Sequence, residues 1–93
     1  MHDWVATHLR DYRSIDLEER HAWWITLMWY FGYCARKVLR DPAKREHGRL
    51  FWRDAVLTTE PEEWQRAQWA AALKWFFDVL VAGDRAGPAM QSH

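Results

Sequence analysis

The chain has 93 residues, 49% of them hydrophobic, with a formal net charge of zero and a single cysteine. That length suits one compact domain and excludes a second, the balanced charge excludes a polycation, and one cysteine excludes an intrachain disulfide. The N-terminal residues show no basic segment followed by an apolar run, so no signal peptide is predicted. We therefore expect one domain in a reducing, cytoplasmic compartment.

The first predicted helix covers about residues 3–13. Val5, Leu9 and Tyr12 recur in it at steps of four and three residues, which places the three side chains on one face. Ser14 and Ile15 interrupt the pattern. The first helix is therefore expected to be short and to pack through that single face.

The second predicted helix begins at Asp16, which precedes Glu19 by three residues in a capping-box pattern. It is expected to end at Asp41, because a residue before proline is pushed out of the α region. Its apolar stripe consists of Trp24, Met28, Phe31, Ala35 and Val38, widened by Trp23, Leu27 and Tyr30. The uncharged run 22–35 has 14 residues, whereas a membrane span needs about 18–20. We expect a helix buried in a small bundle and no membrane contact.

A polar connection with the sequence PAKREHG leads to a short third helix, predicted over about residues 49–57. Its expected buried positions are Leu50, Phe51, Ala55 and Val56. The fourth helix is predicted over about residues 60–81, with Thr59 and Glu62 as a second capping box and Pro61 in its first turn. Its apolar stripe consists of Trp64, Ala67, Ala71, Trp75 and Val79, broadened by Ala72, Phe76 and Leu80.

These elements predict an all-α bundle of four helices over residues 1–83. Gly83 is the expected stop of the fourth helix. Residues 84–93 are polar and contain few apolar side chains, so we expect a disordered tail or linker.

Positive charge is concentrated in residues 36–53, which carry seven basic and two acidic side chains, a net charge of +5. The basic residues are Arg36, Lys37, Arg40, Lys44, Arg45, Arg49 and Arg53. Two interpretations stay open. The charges either complement the C-terminal end of a helix dipole on a solvated face, or they form a patch that faces the phosphates of a nucleic acid.

Motifs for catalysis and for metal binding are missing from the sequence. The five histidines, at positions 2, 8, 21, 47 and 93, are never three or four residues apart, and Cys34 has no partner. The sequence has neither a glycine-rich phosphate loop nor a nucleophile elbow. We expect no metal, no cofactor and no active site contained in this chain.

The segment TTEPEEWQRAQWAAALKWFFDVL, residues 58–80, has a polar start, an alanine-rich middle, an aromatic pair and an acidic residue before Val-Leu. It resembles the last helix of the N-terminal, SAM-like core-binding domain of tyrosine recombinases of the phage and integron integrase type. The matching positions are Gln65, Ala71, Leu73, Phe76, Asp78, Val79 and Leu80. Upstream, Trp23, Leu27, Tyr30 and Phe31, followed by the basic stretch RKVLRDP, are similar to the second helix and loop of that family. The resemblance covers about residues 3–82.

The resemblance implies a SAM-like orthogonal bundle that clamps duplex DNA with one face and has no catalysis of its own. It implies base contacts from Gln65, Arg66 and Gln68, since glutamine pairs with adenine edges and arginine with guanine or phosphate. The basic residues of 36–53 would supply the phosphate contacts. The recombinase chemistry of the family resides in a separate catalytic domain, which would be the partner of this chain in a parent protein.

Two alternatives stay open beside DNA binding. One is a helical protein-interaction module, or a self-associating domain, that uses exposed tryptophans such as Trp52 and Trp69, because tryptophan is enriched in interface hot spots. The other is a different small bundle, for example an accessory subunit of an enzyme.

Overall fold

Four helices and no strand make up residues 2–83, the part of the chain that the computed structural model describes. The helices are α1 (His2–Asp11), α2 (Leu17–Arg36), α3 (Arg45–Phe51) and α4 (Glu63–Lys74). α3 continues through a π-helical turn, Trp52–Val56, and a 3₁₀ turn, Leu57–Thr59, and α4 continues through a π-helical turn, Trp75–Val81. The predicted all-α fold with a short third helix is confirmed for these residues. The predicted disordered tail lies outside the described residues.

The start of α2 fixes the end of α1. Asp16 caps α2 as predicted, since its Oδ1 accepts a hydrogen bond from the backbone N–H of Glu19 at 2.7 Å. One turn later, Arg20 donates from Nε to the carbonyl of Leu9 at 2.9 Å and from Nη2 to the carbonyl of Tyr12 at 2.6 Å. Carbonyl groups at a helix C-terminus have no intrahelical donor. Arg20 therefore satisfies them and holds α1 against α2.

α2 ends at Arg36, so the predicted end at residue 41 is wrong. The chain closes in a Schellman motif, in which the N–H of Val38 donates to Ala35 at 3.2 Å and the N–H of Leu39 to Cys34 at 2.8 Å. Val38 adopts a left-handed backbone with a φ of 57°. This turn directs Leu39 towards the core, where it is partly buried. Burial of Leu39, rather than the proline, ends the helix.

The connection after α2 is tied back to the bundle, and α3 begins earlier than predicted. The hydroxyl of Tyr30 donates to the carbonyl of Pro42 at 2.5 Å. α3 starts at Arg45 instead of residue 49, so the second half of the predicted polar connection is helical. Gly48, in this added turn, is buried against the ring of Phe77.

The core is rich in aromatic side chains and lies between α2 and the C-terminal end of α4 with its π-helical extension. Its buried apolar residues are Val5, Leu9, Trp23, Leu27, Tyr30, Phe31, Tyr33, Cys34, Phe51, Val56, Ala72, Leu73, Trp75, Phe76, Phe77, Leu80 and Val81. Trp75 is 4% exposed, as its place in the predicted stripe requires. In α2 the buried face is centred on Trp23, Leu27 and Tyr30, which were expected only to widen the apolar stripe. Ala35 and Val38, predicted in that stripe, are exposed.

The two π-helical turns explain which apolar residues reach the core after them. A π-helix bonds residue i to residue i+5, so side chains five apart share a face. Phe51 and Val56, Trp75 and Leu80, and Phe76 and Val81 are such pairs, and all six side chains are buried. Val79, which a regular α-helix would return to the core four residues after Trp75, is 49% exposed.

Candidate nucleic-acid interface

Three of the seven predicted basic residues form a row on α3 and its π-helical turn. Arg45, Arg49 and Arg53 are exposed and follow one another at four-residue steps, which is about 6 Å of helix rise per step. They border a groove of about 360 Å³ between α3 and α4, which we call the α3–α4 groove. Lys74 of α4 lines the same groove. Four cationic side chains therefore share one concave surface.

The floor of the α3–α4 groove is apolar. Gly48 and Trp52 contribute from α3 and its extension, and Leu73 and Phe77 contribute from α4 and its extension. Gly48 allows this close approach, because it brings no side chain between the α3 backbone and the Phe77 ring. The arginines can therefore extend over an apolar floor while their guanidinium groups stay exposed to solvent.

Two of the four groove cations already pair with carboxylates. Arg45 Nη2 lies 2.6 Å from Asp78 Oδ1, and the Arg45 guanidinium carbon lies 5.7 Å from the centroid of the Phe77 ring. Arg53 Nε lies 2.8 Å from Asp54 Oδ1. With the residues described here, 2–83, Arg49 and Lys74 make no ion pair, so they are the groove cations most ready to meet an anion.

Asp54 links this surface to α2. Its Oδ2 accepts a hydrogen bond from the hydroxyl of buried Tyr33 at 3.1 Å. The hydrogen bond from Arg53 is the main cause that lowers the pKa of Asp54, and the charge of Lys37 acts in the same direction. Burial chiefly raises the pKa of Tyr33, to which the Asp54 hydrogen bond adds. Asp54 is therefore an ionised anchor between α2 and α3.

The other four predicted basic residues lie outside the α3–α4 groove. The Arg36 guanidinium lies over Gly32, where an added Cβ would be 3.4 Å from Nη1. Lys37 follows the end of α2, and its charge acts on Asp54. Arg40 borders a separate depression on the far side of the α2 end, and Lys44 borders one beside the start of α3. The groove thus brings together three of the seven predicted basic residues.

The polar start of α4 does not form one base-reading face. Gln65 is partly buried, and its Oε1 accepts a hydrogen bond from the backbone N–H of Glu62 at 3.0 Å, which forms the helix cap. Thr59, predicted as the cap, instead donates to the carbonyl of Val56 at 2.7 Å. Arg66 and Gln68 point in nearly opposite directions, because residues two apart are about 160° apart around an α-helix.

Of these three polar residues, Arg66 is the one that continues the groove. It is exposed and lies seven residues, about two turns, before the groove-lining Leu73. Gln68 is partly buried on the other side of α4. By helix periodicity Arg66 thus lies on the same side of α4 as Leu73, whereas both glutamines are partly buried.

Lys74 is the groove residue that sequence reasoning missed. Its four-residue spacing from Asp78 suggests an ion pair along the surface of α4. In the structure, Asp78 pairs instead with Arg45 across the groove. Only the packing of α3 against α4 reveals that Lys74 faces the arginine row.

The tryptophans expected to be exposed are not. Trp52 and Trp69 are partly buried, and the Trp69 ring packs edge-on against Trp29 with a centroid distance of 5.1 Å. All eight tryptophans lie within residues 2–83, and Trp64, at 60% exposure, is the one among them classed as exposed. Its indole N–H donates to Glu62 Oε2 at 2.7 Å.

Comparison of this chain with family models, with curated proteins and with solved structures finds no match. Among residues 2–83, no three or more histidine, cysteine, aspartate or glutamate side chains are grouped so that they would hold a metal ion. None of the helices in the described part of the chain has the length and apolar character needed to cross a membrane. The class of protein defined so far is a small all-α domain with a cationic groove.

Proposed function

We propose that this chain is a non-catalytic DNA-binding domain that contacts the phosphates of duplex DNA through the α3–α4 groove. The observation that carries the proposal is the row of Arg45, Arg49 and Arg53, which faces Lys74 over an apolar floor. Arginine pairs with phosphate through two parallel hydrogen bonds, and a row of guanidinium groups suits a row of phosphates. Arg66, exposed on α4 two turns before Leu73, is a further cation on the groove side of that helix.

The helix-dipole alternative accounts for little of this charge. Of the seven predicted basic residues, Arg36 lies in the last turn of α2, where a cation stabilises the helix end. Arg49 lies in the last turn of α3 and Arg53 in the last turn of its π-helical extension, but a helix dipole does not explain their alignment with Lys74 across the groove. Phosphate binding explains that alignment directly.

The wider setting of the proposal comes from the resemblance to the core-binding domains of tyrosine recombinases. It comprises the SAM-like helix arrangement, a catalytic domain elsewhere in a parent recombinase, and a cytoplasmic location. In this proposal the phosphate contacts are limited to the α3–α4 groove. Gln65 drops out as a base reader, because its amide oxygen is used in the helix cap.

The affinity is expected to be weak. The chain has a net charge of zero, so long-range attraction is small, and non-specific binding at physiological salt falls at about 10⁻⁴–10⁻⁶ M. With three to four cations reaching phosphates, the slope of log affinity against log salt is expected between about −3 and −4.

The test is a matched pair of double charge reversals. Arg49→Glu with Lys74→Glu removes the two unpaired groove cations, whereas Arg10→Glu with Arg13→Glu makes the same change of charge on and after α1. Anisotropy of a labelled duplex at low salt should show at least about a tenfold loss for the groove variant and a much smaller loss for the control. Circular dichroism verifies that both variants keep the parent's helicity. Equal losses in the two variants, or binding that ignores salt, would reject the groove as a DNA site.

A protein-interaction surface remains the second candidate, and exposed Trp64 is the observation that favours it. Its indole is held by Glu62, so the ring is presented in one orientation at the start of α4. Sedimentation of the parent and of Trp64→Ala tests self-association. A concentration-dependent mass that the substitution abolishes would support this candidate.

A further inference from the structure

Among residues 2–83, Asp78 is the one acidic side chain that lines the α3–α4 groove. Its Oδ1 lies 2.6 Å from Arg45 Nη2, and the two side chains are 40% and 55% exposed. The pair joins α4 to α3 across the groove, between residues 33 positions apart. The Asp78 carboxylate is therefore paired with the Arg45 guanidinium, which binds a phosphate in the proposed function.

We propose that Asp78 is a built-in competitor of the DNA phosphate at Arg45 and limits the affinity of the groove for DNA. This inference rests on the proposed function. Carboxylate and phosphate oxygens both accept hydrogen bonds from the fork of N–H groups of arginine. When DNA binds at Arg45, a phosphate then has to displace the Asp78 carboxylate, whereas an unpaired arginine could bind the phosphate directly.

The surroundings of Arg45 make this exchange feasible. The pair is solvent-exposed, and exposed ion pairs are weak enough to be displaced. The ring of Phe77, 5.7 Å from the Arg45 guanidinium carbon, holds the guanidinium over the groove floor when Asp78 releases it. Arg45 is thus oriented towards the groove by contacts that do not depend on Asp78.

Lys74 gives the Asp78 carboxylate a second cation to pair with in the groove. It precedes Asp78 by four residues on the same helix, which brings the lysine within reach of the same carboxylate. When Asp78 leaves Arg45, it can neutralise Lys74. Asp78 therefore compensates one groove cation in either arrangement, in addition to Arg53, which pairs with Asp54. This makes Asp78 a residue that keeps non-specific binding low.

The experiment compares Asp78→Asn with Glu18→Gln and with Asp78→Glu. Glu18→Gln removes one negative charge from the exposed first turn of α2, which contributes no groove residue. Asp78→Glu keeps the competing carboxylate. Duplex affinity is measured for each variant over a range of salt concentrations, and thermal melts verify folding.

Asp78→Asn is expected to bind duplex DNA about three- to tenfold more tightly than the parent, the effect of one screened charge contact. Its salt slope should be steeper by about 0.9, because one more phosphate is neutralised. Glu18→Gln should change affinity less than about twofold, and Asp78→Glu should match the parent.

The outcomes separate this inference from the proposed function. If the parent binds and Asp78→Asn gains no more than Glu18→Gln, the competitor role is overturned while DNA binding stands. Weaker binding by Asp78→Asn would mean that the carboxylate orients Arg45 for DNA, which also overturns the proposal. If neither the parent nor Asp78→Asn binds duplex at low salt, the proposed function fails and this inference fails with it.

Discussion

Gly48 of α3 lies in direct contact with the ring of Phe77 in the extension of α4. A Cβ atom added to Gly48 would lie 2.6 Å from Phe77 Cε2 and 2.9 Å from Cζ, which no real side chain tolerates without movement. Phe77 is itself buried between Tyr30 and Phe76, with ring centroids 6.0 and 5.0 Å away. The contact therefore sets how closely α3 approaches α4, and with it the width of the groove.

Gly48→Ala is expected to destabilise the protein despite the better helix propensity of alanine. Propensity favours alanine by about 1 kcal/mol in a helix interior, but overpacking against a buried ring costs about 1–3 kcal/mol. We expect a net loss of about 1 kcal/mol in the free energy of unfolding, measured by urea titration. Gly83→Ala, where nothing lies within 4 Å of the added Cβ, is the control. A Gly48→Ala variant as stable as Gly83→Ala would contradict the contact.

Val38→Gly is expected to stabilise the protein. Val38 is 72% exposed, so its side chain contributes little burial, yet its left-handed backbone costs a β-branched residue about 1–2 kcal/mol. Glycine is the residue usually found at this position of a Schellman motif. We expect a gain of about 1 kcal/mol. The same substitution at Val79, exposed but helical, should cost about 1 kcal/mol. If both glycine variants lose stability, Val38 is not strained.

Gln65→Ala is expected to affect folding rather than DNA sequence preference. The substitution removes the acceptor for the N–H of Glu62 at the start of α4, and the loss of a cap hydrogen bond costs about 0.5–1 kcal/mol. Gln68→Ala, on the same helix without a cap role, is the control for stability. Thermal melts and duplex titrations on both variants decide the matter. A change in preferred DNA site with unchanged stability would restore Gln65 as a base reader.

The alkaline limit of stability is expected to depend on the two buried tyrosines. Burial is the main cause that raises the pKa of both Tyr30 and Tyr33 above the usual value of about 10. Because the unfolded chain ionises first, their contribution to stability is complete below about pH 10 and is lost as the pH rises further.

Tyr33→Phe removes one of these titrations while it keeps the ring. Its free energy of unfolding should therefore fall less steeply than that of the parent above about pH 10, while below that pH the difference between the two proteins stays constant. Urea titrations at several pH values, with phenolate absorbance recorded in parallel, provide the measurement. Parallel stability curves across the whole alkaline range would show that Tyr33 ionises freely in the folded protein.

The sequence predicted the number and order of the helices, because their apolar periodicity and the Asp16 cap are local signals. It misplaced the end of α2, since that end depends on the burial of Leu39, a tertiary contact. It also placed Val79 in the core, because a uniform period of 3.6 residues cannot anticipate a π-helical turn at Trp75–Val81. These errors share a cause, which is that packing overrode the local pattern.

The site was predicted less completely than the fold. The spacing of Arg45, Arg49 and Arg53 is visible in the sequence, but its meaning depends on helix α3 beginning at Arg45. The position of Lys74 and Asp78 across the groove from this row depends on how α3 packs against α4. The cap hydrogen bond of Gln65 was not predicted, because capping and base recognition use the same amide group and the sequence shows only that the amide is present.

Each π-helical turn contains one more residue than the α-helical turn that could replace it, because its hydrogen bonds join residues five apart instead of four. A deletion of one residue within 52–56 or 75–81 is therefore expected to be absorbed by conversion of the turn to ordinary α-helix, whereas a deletion within α2 would rotate the buried face by about 100°. These two turns are where homologous chains of slightly different length would differ. An alignment of such chains should place its single-residue gaps within these two turns.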